Sequence, residues 1–153
     1  FFFQADDGIR DFCLSRGLGD VYKRQEMDSL ITQNLSVESF VPSPGQGVLC
    51  IECLSQHSEI MSKIRKIVHL NTEICVSAER IFAAQMDGDC MSPIGAHATI
   101  QKDLITITGF VATADGTRYI RNKIEGNKNN YKDLSTKLSN LFIKMGSKGM
   151  LKC

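Results

Sequence analysis

The chain has 153 residues, 42% of them hydrophobic and 23% charged, enough for one medium domain with its own core and too apolar for a disordered tail. With 18 Lys and Arg against 17 Asp and Glu, the formal charge of +1 gives no global field toward nucleic acid or an acidic membrane, and neither is expected as a partner. The longest apolar runs, at 48–51 and 141–143, are far below the span of a transmembrane helix, so a soluble protein is expected.

Residues 1–25, "FFFQADDGIRDFCLSRGLGDVYKRQ", carry neither helical nor strand periodicity. They read as a non-native, adapter-like segment, and Cys13 is set aside with them. The chain does not open on Met, Asp6 and Asp7 exclude a signal sequence at the apolar opening, and the six cysteines (13, 50, 53, 75, 90 and 153) read as free thiols of a cytoplasmic protein. From Met27 to Phe40 the uneven apolar spacing suggests a helical turn and a connector.

Pro42, Pro44, Gly45 and Gly47 then break the chain as a turn before Val48 to Leu54, a nearly continuous apolar run expected to form a strand buried on both faces. Such a strand needs a sheet to join, and the residues before it supply none, so 26–54 are set apart from the domain that follows. Ser55 is placed as the cap of a helix carrying Ile60, Met61, Ile64, Ile67 and Val68, and Asn71 or Thr72 as the cap of the next. That second helix carries Ile74, Ala78, Ile81 and Phe82, with Gln85 or Met86, on one side and stops at Asp87-Gly88.

After Pro93, "HATIQ", "LITITGFVATA" and "TRYIRNKIE" read as three strands joined at Lys102-Asp103 and at the Asp115-Gly116 hairpin. A polar loop, "GNKNN", leads to a last helix with Leu134, Leu138, Leu141, Phe142 and Met145 on one face, ended by Gly146. Residues 55–153 thus predict an α+β domain of order ααβββα, a three-stranded antiparallel sheet with its helices on one face.

"CIEC" at 50–53 has the spacing of a metal or redox pair, but no second pair exists among His57, His69 and His97, and positions i and i+3 of a strand face opposite ways. Cys50 and Cys53 are read as core cysteines, with a thiol-based metal or redox module as the alternative. Cys75 reads as a small buried hydrophobe, and Glu79-Arg80 as a solvated helix face. Cys90 lies on a short loop bounded by Gly88 and Gly95, where a thiol can be approached closely; Asp87 and Asp89 act against its thiolate form.

"ERIFAAQMDGDCMSPIG" (79–95) resembles the signature of the porphobilinogen deaminases, or hydroxymethylbilane synthases: Glu-Arg, an apolar helix turn, then Gly-x-Cys-x-x-Pro-apolar-Gly. "PSPGQGVLCIEC" upstream is similar to the family's Pro-x-x-Gly-Gln-Gly strand, and the Asp-Gly hairpin and final helix extend the likeness to roughly 28–153. The resemblance implies that Cys90 forms a thioether to a dipyrromethane cofactor, onto which four porphobilinogen units are condensed with release of ammonia, and that Gln46 lines the cleft. It also implies that the catalytic aspartate and the arginines that hold pyrrole carboxylates belong to two preceding domains, of which only residues 26–54, with the stray strand, remain here. On that basis no catalytic residue and no metal site is assigned to this chain. The parent is expected to be a monomeric cytoplasmic transferase, and the chain alone to be inactive, with the strand at 48–54 left prone to aggregate. Asp89 and Ser92 depart from the family pattern, and a non-catalytic α+β domain is the remaining alternative. "RYIRNK" (118–123) reads as a solvated strand face.

Overall fold

A computed structural model describes Ser29, residues 31–87 and residues 92–151. Helix α1 (Ser58–Arg65) and helix α2 (Leu70–Met86) precede strands β1 (Ile94–Gln101), β2 (Leu104–Ala112) and β3 (Tyr119–Asn127). A short 3-10 turn, Lys128–Asn130, leads into α3 (Tyr131–Lys144) and a four-residue α4 (Ser147–Met150). The sheet order is β1-β2-β3, antiparallel throughout, as the hairpin signals require.

Alternation along the strands decides which face is covered. Ala96, Ala98, Ile105, Ile107, Val111 and Ile120 are buried and meet Ala78, Phe82 and Met86 of α2 with Leu138 and Phe142 of α3. The rings of Phe82 and Phe142 meet edge to face at 4.9 Å. They lie over Gly109, where an added Cβ would stand 2.6 Å from Phe82 Cζ; no larger residue fits beneath them. The α2–α3 contact is tightened by Ser135, whose buried hydroxyl donates to the Ala78 carbonyl at 2.6 Å. The α+β class and the placement of α2 and α3 on one sheet face agree with the sequence reading, whereas α1 buries no residue and adds nothing to the core.

Several expectations are corrected. Residues 48–54 form no strand: Leu49, Ile51 and Leu54 are 71%, 57% and 61% exposed, because no neighbouring strand among the described residues supplies the ladder a strand needs. Cys50 is accordingly exposed, and Cys53 half-buried with its Sγ 3.1 Å from Met61 Sδ, so neither is a core cysteine. The helix N-caps are His57 and His69, not Ser55 and Asn71 or Thr72, and neither caps with its side chain. Helix α1 ends at Arg65, leaving Ile67 and Val68 beyond it. On α3, Leu141 and Met145 are exposed while Ser135 and Ser139 are buried, because small residues let α3 approach α2. The loop expected at "GNKNN" begins inside β3 and continues as the 3-10 turn, where Asn127 accepts from the Asn129 amide.

Candidate functional site

The loop singled out in the sequence is suspended between two fixed elements. At its start α2 is anchored by the buried Phe82 and Met86 and ends at Asp87, which takes the left-handed conformation (φ 56°) that aspartate tolerates better than most residues. On its far side the Pro93 carbonyl accepts from the Ala112 amide at 3.0 Å, which ties the entry to β1 onto the end of β2. Gly88, Asp89, Cys90 and Met91 lie outside the described residues.

Two turns before the end of α2, at the edge of β1, is a buried carboxylate that the sequence reading placed in solvent. Glu79 falls on the same helical stripe as Cys75 and Phe82, at i−4 and i+3, and is 6% exposed. Its Oε1 accepts from the Ala98 amide at 2.8 Å and its Oε2 from the Gly45 amide at 2.7 Å. Burial pushes its carboxyl above the usual carboxylate range, and the two N–H bonds pull it partly back. The signal was present in the sequence: an acidic residue on an otherwise apolar stripe must find donors, and a strand edge and a glycine turn supply them. Arg80, its neighbour, is exposed as expected.

The carboxylate therefore fastens the "SPGQG" turn to the domain. Gly45 and Gly47 both need positive φ (75° and 77°), and the turn closes with the Gln46 amide donating to the Ser43 carbonyl at 3.1 Å. Ahead of it, the Pro42 carbonyl accepts from the Ala96 amide at 2.9 Å, continuing the edge of β1. Gln46 is exposed and its Oε1 accepts from the Ser43 amide, a local bond within the turn. Thus the turn that carries Gln46 is held to Glu79 and to the edge of β1.

His97 stands 3.8 Å from Glu79 through Nδ1, beyond hydrogen-bond reach. Burial pushes its imidazole down, so it is neutral at pH 7 and the contact is not an ion pair. Cys75 is half-buried, and burial together with the Glu79 charge pushes its thiol up. It is thereby a poor nucleophile. Among the described residues no three His, Cys, Asp or Glu side chains gather so as to hold a metal ion, and no helix is long and apolar enough to cross a membrane.

Residues 73–144 match the family model of the porphobilinogen deaminase C-terminal domain, a span that includes α2 from Glu73 onward, Cys90, the whole sheet and α3. The chain is similar to the porphobilinogen deaminase of Pelotomaculum thermopropionicum, 31% identical over 129 residues that make up 84% of this chain and 41% of that protein. It is 37% identical over 117 residues to that of Campylobacter hominis (76% and 38%), and 36% identical over 122 residues to that of Clostridium botulinum strain Hall (80% and 41%). The chain thus spans about two fifths of the length of these relatives. By this match and these identities, residues 73–144 place the chain in the porphobilinogen deaminase family, as its C-terminal domain.

Proposed function

We propose that this chain is the cofactor-anchoring part of a cytoplasmic hydroxymethylbilane synthase, which condenses four porphobilinogen units stepwise, with release of ammonia, in tetrapyrrole synthesis. The observation that carries this reading is the position of Cys90 within the matched span, between a helix end and a strand start that are each pinned to the core. Cys90 is assigned as the attachment point of the dipyrromethane. When bound, that group supplies the free pyrrole carbon on which the product is built.

The chain's own residues fit such an anchor. Thioether formation would join the Cys90 sulfur to the aminomethyl carbon of a porphobilinogen unit, the C–N bond breaking and the thiol proton leaving with the amine as ammonia, after which the sulfur no longer titrates. Asp89, next to it in sequence, opposes the thiolate and so slows attachment without removing the nucleophile. Cys75 does not compete, since its raised pKa keeps it a thiol. Fixed helix and strand ends on either side give the attached group a constant origin. Glu79 sets where Gln46 and the segment after it leave the domain, and Gln46 is assigned to the cleft wall in the complete protein. The acid/base carboxylate and the arginines that hold substrate carboxylates are assigned to the remaining three fifths, so the chain alone is expected to release no ammonia.

The test is the intact mass of residues 43–153 joined behind the two cleft domains of a working relative, with Cys90→Ser as control. A gain of one dipyrromethane, absent from the control, is the expected result. A soluble, folded and unmodified protein would show that the loop has lost its chemistry.

A further inference from the structure

The sheet has a second face, opposite the helices, and its residues are His97, Thr99 and Gln101 of β1, Leu104 to Phe110 on alternate positions of β2, and Tyr119, Arg121, Lys123 and Glu125 of β3. Among the described residues no helix or strand packs on it, and Val41 and Pro42 reach it over Gly95, at its edge. Most of it is what a solvated antiparallel face should be, with threonines in the middle and a Lys123–Glu125 pair at 3.2 Å. One end differs. Phe110 and Tyr119 stack with ring centroids 5.9 Å apart and planes 24° from parallel, yet Tyr119 remains 67% exposed. Arg121 lies directly across from Phe110 in the register, and Arg118 adjoins Tyr119 in the chain. Both arginines are exposed, and neither forms a salt bridge among the described residues. Asp115 forms no ion pair with either arginine; its Oδ1 accepts from the hydroxyls of Thr113 and Thr117 and from the Thr117 amide.

The position of this patch matters as much as its composition. Gly95 of β1 pairs with Phe110, and Phe110 with Arg121. Ala112, the partner of Tyr119, donates to Pro93 at the exit of the Cys90 loop. The aromatic and cationic groups therefore stand at the loop end of the sheet, and the acidic Glu125 farther along it. A flat π-surface beside unpaired guanidinium groups suits a ligand with conjugated rings and several carboxylates: the rings stack and the carboxylates meet the guanidinium forks.

We propose that Phe110, Tyr119, Arg118 and Arg121 form an outer resting site for the pyrrole rings and carboxylates of the oligopyrrole chain, or of the released linear tetrapyrrole; this rests on the function proposed above. The ring pair offers a face to whichever unit leaves the cleft, and the arginines favour chains that keep their acidic side groups. The site holds its ligand non-covalently, so it acts as a guide for product and takes no part in bond making.

The full chain carrying Cys90→Ser, so that nothing attaches covalently, is titrated with uroporphyrin I, a flat porphyrin with eight carboxylates, by its absorbance and fluorescence. Saturable binding that weakens with added salt is expected, with a loss of about tenfold for Arg121→Glu and about fivefold for Tyr119→Ser. Gln101→Ala, at the far end of the same face, should leave it unchanged. All three positions are exposed, and circular dichroism checks that each variant is folded. Equal binding by the Arg121 and Tyr119 variants, or no saturable binding, overturns the proposal. Tighter binding of a single-stranded oligonucleotide at the same residues overturns it in favour of nucleic acid. The adduct mass at Cys90 separates this from the parent reading: an adduct with no porphyrin binding removes only the resting site, and porphyrin binding with no adduct removes only the anchor.

Discussion

The Glu79 carboxylate holds the Gly45 amide at 2.7 Å across 34 residues of sequence, and with its other oxygen holds Ala98 on the edge of β1. One side chain thus joins a helix, a strand and the turn that leads away from the domain. Its Oε1 and the Pro42 carbonyl also occupy edge amides of β1 that would otherwise be open to another strand.

Glu79→Ala leaves two amides without partners in a buried place and should lower stability by about 3 kcal/mol. Glu79→Gln has one oxygen for two donors and turns its own N–H₂ toward one of them, so it should recover only part of the loss. Hydrogen exchange resolves the mechanism: the Gly45 and Ala98 amides should lose protection in both variants. Retained protection at both would remove the clasp from the account.

The pH dependence of stability should carry two opposed contributions. Glu79 is raised by burial, so from its usual value of 4.5 upward the folded protein keeps a proton that the unfolded chain has lost, and this contribution falls as pH rises through the window. His97 is lowered by burial, so its contribution is complete above its usual value of 6.5 and is lost as pH falls toward the lowered one. Urea midpoints measured from pH 4.5 to 6.5 should therefore rise more steeply with pH in Glu79→Gln than in the parent. In His97→Gln they should rise less or fall. Identical slopes in all three proteins would contradict the assignment.

The two clasped glycine and alanine amides explain what sequence reading could and could not see. The meander was legible because its signals are local: period-two alternation, an Asp-Gly turn, and Gly146 with φ 89° at the end of α3. Glu79 was not, because its partners are 34 and 19 residues away, and a charged residue beside Arg80 has the local look of a solvated pair. The run at 48–54 misled in the opposite way: its composition favours a strand, but a strand is a property of two segments, and the described chain contains only one. Cys90 was singled out by the family resemblance alone, since loop composition and its acidic neighbours left the thiol's role open.

Gly109 and Gly126 offer a paired test of packing. An added Cβ at Gly109 meets Phe82 at 2.6 and 2.7 Å and Phe142 at 3.1 Å, two interlocked rings with nowhere to turn. Gly109→Ala should cost about 2–3 kcal/mol by overpacking. At Gly126 the nearest atoms, at 2.9 and 3.0 Å, are the tips of Leu134, which can change rotamer. Gly126→Ala should cost under about 1 kcal/mol, and thermal denaturation of the two variants should show the difference. Equal losses would mean that the ring pair yields more readily than its geometry implies.

The exposed run after the turn should govern solubility. Leu49, Ile51 and Leu54 present apolar surface that the domain does not cover. Replacing all three by Ser should reduce light scattering of concentrated protein while leaving the melting temperature within about 1–2 °C, since surface changes far from the core alter stability by only a few tenths of a kcal/mol. A large drop in melting temperature would show that the run contributes to the fold after all.

The bond between Ser135 and Ala78 spans 57 residues, whereas β1 to β2 and β2 to β3 are joined by short hairpins. Closing a short loop costs less entropy than closing a long one, so the meander is free to assemble early and the helix layer only after α3 has been made. During synthesis the part of α2 that faces α3 must wait, uncovered, until the ribosome has delivered Leu138 and Phe142. The stretch between them is therefore a window in which a nascent chain would need a chaperone's cover, and slow translation through α3 would lengthen it.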